Sequence, residues 1–129
     1  MPNNTDKLIL VVEDEKLVRE LLETELGKRG YRTVSAKDGM EALEVWRDKA
    51  PDLVLLDLLL PKMDGFQLMK TIREKPDDKV NRARVIVLSN LWEKSDIERM
   101  NQYKIEDYLV KAYNTVDDVI ARIEKVFQK

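Results

Sequence analysis

Unbroken apolar runs recur along the chain, at Leu8 to Val12, Leu53 to Leu56 and Val85 to Leu88, with a shorter one at Tyr108 to Val110. A strand with one wet face alternates apolar and polar residues, whereas a strand buried on both faces is apolar throughout. Together with Tyr31 to Ser35, the runs predict five strands, at Lys7 to Val12, Tyr31 to Ser35, Leu53 to Leu56, Arg84 to Leu88 and Asp107 to Val110.

Between these runs the period changes to that of a helix. In the first segment Leu17, Val18, Leu21, Leu22 and Leu26 form one apolar face, Glu25 and Arg29 are spaced to pair, and Gly30 sits where a helix stops. The second segment opens on Asp38 as a cap with Glu41 three residues on, and presents Leu43 and Trp46 to the sheet. Asp64 and Gln67 repeat that signature for the third, which Pro76 ends, and the stretch Pro76 to Arg84 is the longest irregular one. Only Ile97, Met100 and Tyr103 mark an apolar side in the fourth, Glu93 to Lys104, so a loosely held helix is expected there. The fifth has Thr115 and Asp118 at capping-box positions, then Val119, Ile120, Ile123, Val126 and Phe127 to pack firmly. Strands alternating with crossover helices predict an α/β fold, a doubly wound (βα)5 unit with a parallel five-stranded sheet. All 129 residues are expected to form one domain, with its core in residues 7–128.

Composition narrows the chemistry. The chain has no cysteine and no histidine, which removes disulfides, thiolate and imidazole metal sites, and histidine acid-base catalysis. Its net charge of -2 arises from 23 basic and 25 acidic residues mixed along the sequence, so direct nucleic-acid binding is not expected. No apolar stretch approaches the roughly 20 residues of a membrane span, and the polar amino terminus has no signal-peptide core, which leaves the cytoplasm as the expected location.

Each of the four runs ends on a residue able to do chemistry: Glu13 and Asp14, Asp57, Ser89 and Lys111. Ligands of open α/β sheets gather at the carboxyl ends of the strands, so three carboxylates, a hydroxyl and an ammonium would meet on one edge. Acids after strands often serve only as turn formers or caps, and Glu15 and Asp38 fit that role. Glu13, Asp14 and Asp57 fit it poorly, because carboxylates on adjacent strands raise one another's pKa unless a cation neutralises them. With only hard oxygen donors present, that cation is expected to be Mg2+. Lys111 is placed as a counter-ion for phosphate and Ser89 as a hydrogen-bonding partner.

The motifs Val11-Val12-Glu13-Asp14-Glu15, Asp57-Leu58-Leu59-Leu60-Pro61-Lys62-Met63-Asp64-Gly65, Val87-Leu88-Ser89 and Asp107-Tyr108-Leu109-Val110-Lys111 together resemble the receiver domain of two-component response regulators, from Leu8 to Phe127. The resemblance implies a flavodoxin-like fold with strand order 2-1-3-4-5. It implies that Asp57 accepts a phosphoryl group from a phosphohistidine on a sensor histidine kinase or histidine phosphotransfer protein. Glu13, Asp14, Asp57 and the backbone carbonyl of Leu59 would hold Mg2+, Lys111 would pair with the phosphate, Ser89 would bond it, and Tyr108 would be the aromatic switch beside Ser89. The resulting change falls on the surface of the fourth helix, fifth strand and fifth helix. A domain of this kind signals rather than turns over a substrate, while promoting its own phosphorylation and slow dephosphorylation.

Two residues depart from the family pattern. Ala112 follows the lysine where a proline after a cis bond is usual, and a non-proline cis bond costs about 2.5 to 4 kcal/mol, so a trans Lys111-Ala112 bond is expected. Asn90 follows Ser89 where a small residue is usual, and is expected to narrow the site or to hydrogen-bond the phosphoryl group. Leu59 and Leu91 occupy positions that in this family influence phosphate hydrolysis, and neither side chain can orient water, which predicts slow loss of the phosphate. Trp92 and Tyr103 are candidates for a partner-binding patch on the fourth helix.

Rival functions are a phosphatase, disfavoured because Leu59 stands where a second acid is required, and a flavodoxin, disfavoured because Glu13-Asp14-Glu15 would repel a flavin phosphate. The main alternative is a degenerate receiver acting as a phosphorylation-independent interaction module. Downstream, the sequence leaves open a separate protein target, an output domain beyond Lys129 or a homodimer.

Overall fold

The computed structural model describes residues 6–74 and 83–128. Its strands are β1 (Leu8–Val12), β2 (Arg32–Ala36), β3 (Leu53–Leu56), β4 (Arg84–Ser89) and β5 (Asp107–Val110). Its helices are α1 (Lys16–Lys28), α2 (Gly39–Lys49), α3 (Gly65–Glu74), α4 (Lys94–Asn101) and α5 (Val116–Phe127), with a 3-10 turn at Lys111–Tyr113 directly after β5. The strands pair in parallel in the order β2-β1-β3-β4-β5. This is the doubly wound parallel sheet that the alternation of elements predicts, in the flavodoxin-like strand order that the family resemblance implies. The expected loop from Pro76 lies, up to residue 82, outside the described residues.

Apolar runs form these strands because both sheet faces are covered. Leu10, Val12, Val54, Leu56, Val85 and Val87 face α2, α3 and α4 through Trp46, Phe66, Met69, Ile72 and Met100. The alternate positions Ile9, Val11, Leu53, Leu55, Ile86 and Leu88 face α1 and α5 through Leu22, Leu26, Val119, Ile120 and Ile123. The caps act as their sequence indicates: Asp38 Oδ1 accepts from the Glu41 amide at 2.8 Å. Asp64 and Gln67 bond each other's backbone N–H reciprocally at 2.9 and 3.0 Å, and Thr115 and Asp118 do so at 3.1 and 2.8 Å.

Several boundaries and faces differ from expectation. β2 runs one residue later than the sequence indicates, because the Tyr31 amide donates back to Leu26 O of α1 at 3.2 Å; the Tyr31 ring lies 5.7 Å from that of Phe127. Lys7 likewise stands outside β1, with its ammonium 5.5 Å above the Phe127 ring. Ser89 is the last residue of β4 rather than the first beyond it. On α1 the buried stripe is narrower than the five-residue face: Leu22 and Leu26 are buried with Val18 against them, whereas Leu17 is 80% and Leu21 48% exposed. Leu17 and Leu21 form a neighbouring row, turned about 100° from the stripe around the helix axis. Glu25 takes Lys28 at 3.1 Å, and Arg29 reaches Asp117 of α5 at 3.4 Å. The fourth helix is shorter than expected: it ends at Asn101, close to Lys104, whose φ of 59° is left-handed, and Met100 is its one fully buried side chain.

Candidate functional site

Parallel pairing brings the carboxyl ends of all five strands to one edge. The hydrogen-bond ladder continues one step past the apolar runs there: the Glu13 amide donates to Ala36 O and the Asp57 amide to Val12 O, each at 3.0 Å. Two carboxylates from adjacent strands are thereby fixed side by side and nearly covered, with Glu13 2% and Asp57 5% exposed. Asp14 stands exposed beside them, and one carboxylate oxygen from each of the three lies within 4.8 Å of the others.

Buried carboxylates need a counter-ion. Lys111, at the end of β5, supplies it: its Nζ lies 2.8 Å from Asp57 Oδ2 and also bonds Glu13 Oε1. Burial pushes the Glu13 carboxyl above its usual range, aided by the nearby Asp57 charge and opposed by hydrogen bonds from Lys111 and the Glu15 amide. Burial disfavours the Lys111 ammonium, but the bonds to Asp57 and Glu13 outweigh it and hold the Lys111 pKa above the ordinary value. The two carboxylates therefore favour the charged form of Lys111.

The loops around this cluster are tied down by contacts that sequence patterning alone did not reveal. Arg19 of α1 reaches back to the carbonyls of Glu13 at 2.9 Å and Asp14 at 3.4 Å, fixing the loop that carries both acids. Its spacing, six and five residues on, gives little hint, since any exposed-side arginine on a first turn looks alike. Gly65 opens α3 against the backbone that follows β3: a Cβ there would stand 2.7 Å from Leu58 Cα and 2.9 Å from Asp57 O. At the start of α2, Gly39 abuts the same loop, where a Cβ would collide with Met63 O. The exposed Leu59 donates its amide to Asp57 Oδ1 at 3.3 Å.

Ser89 is fully buried at the end of β4, and its Oγ accepts the Leu91 amide at 3.3 Å. Tyr108 of β5 donates its hydroxyl to the Leu91 carbonyl at 2.6 Å. Burial, with the Asp96 and Asp57 charges, pushes the Tyr108 phenol up to about 12, so it remains a donor at any physiological pH. Asn90 accepts the Ala112 amide on Oδ1 at 3.0 Å, so its side-chain carbonyl is engaged by the chain itself. The described residues contain no cis peptide bond, and Lys111-Ala112 is trans as expected. Trp92 and Tyr103, the candidates for a partner-binding patch on the fourth helix, both lie outside α4. Tyr103 packs against the core, while Trp92 lies in the loop before α4 and is 66% exposed.

A twisted parallel sheet with acids, a serine and a lysine at its carboxyl edge defines a class of phosphate and metal sites. Within that class the comparisons are specific. The sequence model of the response regulator receiver domain matches residues 9–124, and the chain belongs to that family. It is 36% identical over 121 residues to "Probable transcriptional regulator ycf27" of Porphyridium aerugineum, covering 94% of this chain and 48% of the relative. It is 37% identical over 105 residues to "Regulator of RpoS" of Escherichia coli K12, covering 81% and 30%. The chain thus spans about half, or less, of the length of these curated relatives. The receiver domain of the Francisella response regulator 1452 superposes with a TM-score of 0.82 at 29% identity, covering 95% and 97% of the two chains. The BeF3-activated N-terminal receiver domain of Klebsiella pneumoniae RstA does so with 0.81 at 28% identity, covering 95% and 100%. Among the described residues, no helix is long and apolar enough to cross a membrane.

Proposed function

We propose that this chain is a phosphoacceptor switch of a two-component or phosphorelay system, with Asp57 as the residue that becomes phosphorylated. The observation that carries the reading is Lys111 Nζ seated on both Asp57 and Glu13 at the edge where Asp14 adds a third carboxylate. An ammonium fixed within 2.8 Å of the nucleophile is positioned to move onto an oxygen of an incoming phosphoryl group. Asp57 Oδ attacks phosphorus, the phosphorus–nitrogen bond of a partner's phosphohistidine breaks, and an acyl phosphate forms on Asp57. These 129 residues contain no histidine, so the phosphohistidine donor would lie outside them, on a sensor histidine kinase or a phosphotransfer protein.

The donor set fits Mg2+: three clustered carboxylates without nitrogen or sulfur ligands. Glu13, Asp14, Asp57 and the Leu59 carbonyl are the groups proposed to hold it. When bound, the ion supplies charge neutralisation for the transferring group and its leaving partner. The protein's own share is positioning and electrostatics: Lys111 offsets charge, and Ser89 offers a hydroxyl at the neighbouring strand end. The acyl phosphate replaces the single carboxylate charge of Asp57 with a phosphoryl group of about -1.5 to -2 charges, and projects that charge outward from the strand end. Drawing Ser89 toward that charge pulls on the Leu91 segment that Tyr108 also holds, which is how the signal would reach α4, β5 and α5. The description of the RstA receiver as BeF3-activated supports the same chemistry for this chain. The domain would act in the cytoplasm on a downstream protein, an appended output domain or a second copy.

Trp92, three residues past Ser89 and largely exposed, is the natural reporter. Addition of Mg2+ with beryllofluoride is expected to change tryptophan emission in the wild type and leave Asp57→Asn unchanged. An identical response from both proteins, or none from the wild type, would instead favour a phosphorylation-independent interaction module.

A further inference from the structure

The ladder between β4 and β5 ends with Ser89 opposite Val110, so Asn90 and Lys111 are the first pair beyond it. Here the chain leaves the sheet in two loops. One runs from Ser89 toward α4, and the other folds at once into the Lys111–Tyr113 turn. Amides in the first turn of a helix have no partner within that helix. The Ala112 amide finds one across the gap, in Asn90 Oδ1 at 3.0 Å, while the Asn114 side chain donates to Val110 O at 2.9 Å. A side-chain carbonyl thus extends the β4–β5 connection one step past the backbone ladder. Asn90 and Ala112 are both exposed, so apolar packing does not hold this corner together. The donor exists only because residue 112 is not a proline, which has no amide hydrogen.

We propose that Asn90 is a positioning residue for Lys111: by binding the Ala112 amide, it fixes the turn after β5 against the loop after Ser89 and keeps the ammonium on Asp57. The inference rests on the phosphoacceptor reading above. Lysine carries its charge on a flexible four-carbon stem, so where the charge sits depends on how firmly the backbone at its root is held. The two residues that distinguish this site, an amide-bearing residue after the lysine and a side-chain acceptor after the serine, form a single device.

The test is a double-mutant cycle of wild type, Asn90→Ala, Ala112→Pro and the double variant. It reads the initial rate of Asp57 phosphorylation by acetyl phosphate in saturating Mg2+, with the urea midpoint of each protein as a control for folding. Loss of one ordinary hydrogen bond corresponds to about a 2- to 10-fold lower rate for Asn90→Ala. The Mg2+ concentration at half-maximal rate is expected to stay constant, and the Ala112 amide proton resonance to move upfield. In the Ala112→Pro background, where the donor is gone, Asn90→Ala is expected to cause no further loss. An unchanged rate and unchanged Ala112 resonance in Asn90→Ala would overturn the proposal, as would the same rate loss recurring in the proline background. The resonance measurement stands even where the proline variant does not fold. A wild type that acetyl phosphate never modifies would overturn the phosphoacceptor reading itself, an outcome distinct from the other two.

Discussion

At the scale of single residues, the same side-chain type performs different tasks according to its surroundings. Asp38 is a nearly buried aspartate like Asp57, yet its carboxylate caps α2. The Glu41 amide and then the Lys62 ammonium hold its pKa below the usual carboxylate value despite burial. A lowered folded pKa means stability that is present above the unfolded value and lost as pH falls through the folded one. Asp38→Ala is expected to cost about 1 kcal/mol at neutral pH. Urea titrations across pH should show that cost holding down to about pH 4, the unfolded aspartate value, and shrinking below it. Leu59 and Leu91 set a second residue-scale expectation, since neither can orient an attacking water. Phosphate loss in Mg2+ buffer should be slower in the wild type than in a Leu59→Asn, Leu91→Glu variant, and faster wild-type decay would contradict this account. The convergence of Glu13, Asp57, Ser89 and Lys111 was legible in the sequence because each closes an apolar run, and parallel strands bring such ends to one edge. The Asn90–Ala112 and Arg19 contacts were not, because they join loop positions whose proximity depends on where each loop turns, which no periodicity encodes.

At the scale of elements, period and caps did most of the specifying. Trp46, Leu26 and Ile123 fall where helical spacing places them, and are fully buried. The first helix shows the limit of that logic. Spacing alone grouped Leu17 and Leu21 with Leu22 and Leu26, since five leucines and valines span a wide arc, and the contact with β1 and β2 is narrower than that arc. The resulting contrast is measurable by denaturant unfolding. Leu26→Ala is expected to cost about 2 to 5 kcal/mol, as truncation at a closed core site does. Leu17→Ala is expected to stay within about 0.5 kcal/mol, as surface changes do. The thin apolar side of the fourth helix was foreseeable from its sequence, but its early end was not, since Lys104 takes a left-handed conformation that a lysine does not advertise. Arg99 stacks 4.0 Å from the Phe66 ring, so this marginal helix is held to α3 by a cation–π contact as well as by Met100.

At the scale of the whole molecule, a parallel sheet converts sequence order into spatial convergence. Four segments spread over a hundred positions deliver Glu13, Asp57, Ser89 and Lys111 to one edge because every strand points the same way. The opposite faces are closed by two separate apolar layers, so that edge can vary its chemistry without disturbing the core. The lysine that neutralises the acids now is the group proposed to neutralise the phosphate later, which makes Asp57 the pivot of the account. The most direct test is intact-mass measurement after incubation with Mg2+ and acetyl phosphate. The wild type is expected to gain the mass of one phosphoryl group, and Asp57→Asn to gain none. An unmodified wild type, or a phosphoryl group retained by Asp57→Asn, would contradict the account.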